Sequence, residues 1–148
     1  MRRFETYAKA LETLEQAPRQ DLDNDFIMSG VIDKFRMQFE LGWKLLKKTL
    51  AYEGNAAAST GSPRDVLKAA FATYDFMDEG AWVSMLRDRN TSTHVYDGIA
   101  ARELTERVVE TYLPELQALK SGLVARYGLG LLAAPDEEFD RASGDALH

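Results

Sequence analysis

A chain of 148 residues suits one domain with a single core, and its 45% hydrophobic and 28% charged residues are ordinary for a globular protein. With no cysteine it can build neither a disulfide framework nor a thiolate metal site, which agrees with a reducing compartment, so a cytoplasmic location is expected. A formal net charge of −6 excludes a broad basic face for long nucleic acid, and any such contact has to be small and local.

Met1-Arg2-Arg3 is basic, but no apolar run follows it and it does not read as a signal peptide. No stretch approaches the roughly 18 apolar residues of a membrane span, so no membrane contact is expected. Residues 1–16 read as a helix, with Phe4, Tyr7, Leu11 and Leu14 at helical spacing. Pro18 ends it, and 21–24 form a polar connection rich in helix-capping side chains. The longest helix follows, from about Asp25 to Glu53, with a stripe of Ile32, Phe35, Phe39, Trp43, Leu46 and Leu50 read as core and Gly54 closing it.

Residues 55–61 are a small-residue loop. Ser62-Pro63-Arg64-Asp65 then starts another helix, whose apolar side is Val66, Leu67, Ala70 and Phe71. After 78–80 a short helix carries Trp82, Met85 and Leu86. The run Thr91-Ser92-Thr93 is poor helix interior and predicts a break. A last helix spans about Ile99 to Tyr127 through Leu104, Val108, Tyr112, Leu116, Leu119 and Leu123, and Pro114 should disturb it. No strand pattern appears. The fold class is therefore all-α, an antiparallel up-and-down bundle of four to five helices over 1–130, followed by an acidic flexible tail at 131–148.

Chemistry concentrates at 89–96, where a permanent cation (Arg89), the only internal histidine (His94) and a phenol (Tyr96) fall within eight residues. On one continuous helix Arg89 and Tyr96, seven apart, share a face, whereas His94 points about 140° away from Arg89. Convergence of the three requires the break at 91–93 or a second copy of the chain across a two-fold axis. Lys44, Lys47 and Lys48, with Arg87 and Arg89, are the local basic residues, and the lysines read as a solvated face. Glu40 lies one turn before Lys44, which reads as a solvated helix-stabilising pair. One internal histidine makes no recognisable metal site, and neither metal nor cofactor is expected.

The spacing Arg89-x4-His94-x-Tyr96 resembles the motif of the HEPN superfamily. Further blocks are similar to its nucleotidyltransferase substrate-binding branch: Phe35-x3-Phe39-Glu40-x2-Trp43-Lys44 with Gly54, Ser62-Pro63-Arg64, Trp82-x2-Met85-Leu86-x2-Arg89-Asn90, and Tyr112-Leu113-Pro114. The resemblance covers roughly 1–130. It implies a homodimer with the motif near the subunit interface. It also implies a minimal nucleotidyltransferase partner, encoded nearby, which this chain serves as a substrate-binding subunit.

The chain has no Gly-Ser followed by an Asp-x-Asp metal pair, so it is not expected to be the transferase itself. The substrate-binding residues on this reading are Arg89, Asn90, His94, Tyr96, Lys44 and Glu40, around a nucleotide or RNA in a local cleft. The alternative is a metal-independent ribonuclease toxin. There His94 acts as general acid or base and Arg89 stabilises the phosphate charge, and the resemblance implies that nucleotidylation of Tyr96 silences the chain. A third reading is purely structural, with Arg89 paired to Asp88, Asp97 or Asp78 and His94 hydrogen-bonded at a helix start.

Overall fold

A computed structural model describes residues 1–91 and 97–146. All regular structure among them is helical: α1 (Arg2–Leu14), α2 (Asp25–Tyr52), α3 (Ala57–Thr60), α4 (Pro63–Thr73), α5 (Glu79–Thr91), α6 (Gly98–Arg107), α7 (Leu113–Tyr127), α8 (Leu129–Leu132) and α9 (Asp136–Ala146). A 3₁₀ turn at Ala17–Arg19 contains Pro18, and a π-helical turn at Val108–Tyr112 joins α6 to α7.

The element boundaries follow from local chemistry. Asn24 caps α2, its Oδ1 accepting from the Phe26 and Ile27 amides at 2.9 and 3.2 Å, and Gly54 closes it at φ 75°. Ser62 caps α4 through the Asp65 amide at 3.3 Å, with Pro63 in the first turn. The π turn has a clear cause. Pro114 has no N–H for the Glu110 carbonyl and its ring crowds that carbonyl, so the turn before it widens.

α2 is the hub: α1, α4, α6 and α9 all pack against it. Phe4, Tyr7, Leu11 and Leu14 of α1 are buried, as are Leu104, Val108, Tyr112, Leu116, Leu119 and Leu123 of the expected last helix. Tyr7 donates to the Leu116 carbonyl at 2.6 Å and Gln38 to the Tyr7 carbonyl at 3.0 Å, tying α7 and α2 to α1. Phe35 stacks on Tyr112 with centroids 5.2 Å apart, and Phe39 lies 6.3 Å from Trp82.

Three expectations change. Residues 55–61 are not wholly loop, since α3 forms within them. Trp43 is not core: it is partly exposed, and its indole N–H donates to Glu40 Oε2 at 2.9 Å. The segment read as a flexible tail contains α9, whose acidic first turn of Asp136, Glu137 and Glu138 suits the positive end of a helix. Phe139 buries its ring there against Tyr52, centroids 5.2 Å apart. One apolar anchor has no period, and none was visible in the sequence.

Tyr7, Tyr74, Tyr112 and Tyr127 all have their hydroxyl pKa values raised, chiefly by burial. A folded-state value above that of the unfolded chain, near 10, means the native state holds the proton longer. Their contribution to stability is complete below about pH 10 and is lost as the pH rises further. In an ultraviolet titration these four should ionise later than an exposed tyrosine. Early titration of all the tyrosines without unfolding would contradict the burial.

Candidate functional site

Glu40 sits on α2 one residue after the buried Phe39, and Arg89 sits on α5 one residue after the buried Asp88. Packing of α5 on α2 therefore brings both to the rim of the core, each with about a third of its side chain exposed (31% and 31%). Arg89 Nε donates to Glu40 Oε1 at 2.6 Å, and Nη2 contacts the same oxygen. Nη1 reaches Asn90 Oδ1 at 2.9 Å, and the guanidinium lies 5.9 Å from the Phe39 ring. Because Glu40 also accepts from Trp43, one carboxylate holds a cation on one side and an indole on the other. The planar fork is thus fixed before any ligand arrives.

Beside it opens a cavity of about 510 Å³, lined by Asp33, Arg36, Met37, Glu40, Arg89 and Asn90. Two cations face two carboxylates, and an amide adds both a donor and an acceptor. Such a lining suits a polar ligand carrying donors and acceptors better than a bare polyanion.

Arg89 is steadied from behind. Asp88, only 7% exposed, accepts from Arg107 Nε at 2.9 Å and Nη2 at 3.1 Å, and from the Tyr112 hydroxyl. Since the Tyr112 proton goes to Asp88, the Ser84 hydroxyl donates to Tyr112 at 2.6 Å and accepts from Arg87 Nη2 at 3.1 Å. Burial and the Asp88 bond raise the Tyr112 pKa. This network fastens α5 to α6 and to the π turn.

Among the residues singled out in the sequence, the fold brings Glu40, Arg89 and Asn90 together. Arg89 pairs with Glu40, not with Asp88, Asp97 or Asp78. Glu40 likewise does not form the solvated pair with Lys44. Lys44 lies 6.0 Å from the Trp43 ring and borders a separate groove. His94 and Tyr96 lie outside the described residues; of the break expected at 91–93, Thr91 is the last residue of α5 and the other two residues also lie outside them. Ser84, Asp88 and Arg107 were missed. For Asp88 the signal existed: it follows Trp82 and Met85 at intervals of three, so a carboxylate occupies the buried register. The contribution of Asp33 and Arg36 had no comparable signal.

The fold and the cleft define a class first: an all-helical module carrying a preformed polar cavity. The model of the family described as "Nucleotidyltransferase substrate binding protein like" matches residues 2–125, and the chain belongs to that family. Compared with curated proteins, it finds no match.

Proposed function

We propose that this protein is the non-catalytic, substrate-binding subunit of a separately encoded minimal nucleotidyltransferase. The observation that carries this is the clamped Arg89 fork beside the 510 Å³ cavity, in a chain belonging to the substrate-binding family. Catalysis falls to the partner, because the sequence has no Gly-Ser followed by Asp-x-Asp to hold Mg²⁺ and triphosphate. The chain holds the molecule to be modified, and Arg89 and Asn90 meet its polar groups while Glu40 orients the arginine. The working unit is a homodimer of antiparallel bundles in a two-component system. Met37, 61% exposed at the cavity edge, supports a partner surface there.

Arg89→Lys is expected to weaken substrate binding by the transferase complex about tenfold, since a point charge does not replace the fork. Calorimetry on the reconstituted complex measures this, and unchanged affinity would remove Arg89 from the site. Sedimentation of the free chain tests the dimer.

The sequence spacing Arg89-x4-His94-x-Tyr96 favours a second reading, a metal-independent ribonuclease toxin whose Tyr96 the transferase modifies. RNA incubated with the chain in EDTA decides between them. Cleavage by the wild type that disappears in His94→Ala establishes the nuclease, and no cleavage leaves the binding subunit.

A further inference from the structure

A second concavity, about 590 Å³, lies on the other side of the Glu40–Trp43 hydrogen bond. Its walls come from distant parts of the chain: Arg2 and Arg3 at the start of α1, Trp43, Lys44, Lys47 and Lys48 on α2, and Asp136 at the start of α9. Lysines at these intervals of three and four share one helix face, where like charges disfavour the helix. The fold then adds two arginines to the same place. Among the described residues only one of these five side chains is in an ion pair, Lys48 with Asp140 at 2.8 Å. Even counting Asp136 and Asp140 against them, the groove keeps three positive charges in excess within a protein of net charge −6. That concentration opposes folding electrostatically and is relieved by a bound polyanion. Trp43 adds an aromatic surface, its ring anchored by the bond to Glu40.

We propose that this groove is a nucleoside polyphosphate site, separate from the Arg89 cavity. Arg2, Arg3, Lys44 and Lys47 take the phosphate chain, and Trp43 packs against the base. The volume falls within the range of roughly 300–1,000 Å³ usual for small-ligand pockets, which favours a free nucleotide over a nucleic-acid strand. The overall acidic charge favours it too. The site stands on charge and shape alone and does not depend on the substrate-binding reading of the Arg89 cavity.

The test is titration of the full chain with ATP, inorganic tripolyphosphate, adenosine and a short single-stranded RNA, followed by calorimetry at low salt. ATP should bind, tripolyphosphate more weakly, and adenosine least. Lys44→Ala combined with Lys47→Ala should weaken ATP at least tenfold, with Trp43→Leu removing the advantage of ATP over tripolyphosphate. Circular dichroism checks that these surface variants fold. No binding of ATP by the wild type overturns the site. So does binding that survives the double lysine variant but is lost in Arg89→Ala, which would place the nucleotide in the other cavity and leave the proposed function standing. RNA that binds tenfold tighter than ATP would make the groove a strand site. Loss of transferase association in the lysine variant, with ATP unaffected, would make it a protein-docking surface and equally refute the proposal.

Discussion

Trp82→Ala is expected to lower the unfolding free energy by about 3–5 kcal/mol, the range for truncating a fully buried aromatic. Trp82 has no exposed surface, its ring lies 6.3 Å from Phe39, and a Cβ built on Gly42 would meet its Cη2 at 3.6 Å. The space it fills is bounded by helices on several sides, so little collapse can close the resulting cavity. Its indole N–H, though, has no hydrogen-bond partner among the described residues. Trp82→Phe discards that unpaired donor while keeping a ring, and its loss should be clearly smaller. Urea denaturation followed by circular dichroism measures both. A cost below about 1 kcal/mol for the alanine variant would show that α5 is not seated on α2 as described.

Asp88→Ala should cost about 2–3 kcal/mol. Breaking a fully buried ion pair costs about 3–5 kcal/mol, but Arg107 is 41% exposed and water partly takes over from the lost carboxylate. The Tyr112 hydroxyl loses its acceptor and keeps only Ser84. Tyr112→Phe, which removes one hydroxyl from the same network, should cost about 1 kcal/mol. The double variant should lose less than the sum, because both changes break the same bond. Additive losses would mean that Asp88 and Tyr112 act independently. As Asp88 adjoins Arg89, the variant should also loosen the arginine and weaken substrate binding without removing any ligand-facing atom.

These two sites differ in how far the chain itself announced them. Trp82 and Met85 belong to an apolar spacing any helix reading recovers, and the same holds for Phe4, Tyr7, Leu11 and Leu14. Asn24, Ser62, Pro63 and Gly54 announce helix ends because capping and left-handed backbone are satisfied by residues adjacent in sequence. Pro114 likewise forecast a disturbance, though not that it would be a π turn. The partner of Arg89 was not legible. Several carboxylates lay nearer in sequence, yet Glu40, 49 residues away, holds it.

Periodicity, caps and breakers depend on neighbours within a turn or two, so the sequence alone determined the helical class, most helix ends and the buried stripes. Pairing across helices depends on which faces meet, and only packing decides that. Tertiary structure took Trp43 out of the core and gave Glu40 to Arg89 rather than Lys44. It buried Phe139 from an apparently aperiodic end and carried Arg2 and Arg3 to the lysines of α2. A charge reads the same in sequence whether solvated, paired or gathered into a groove. Its surroundings differ in each case, and distant segments supply them.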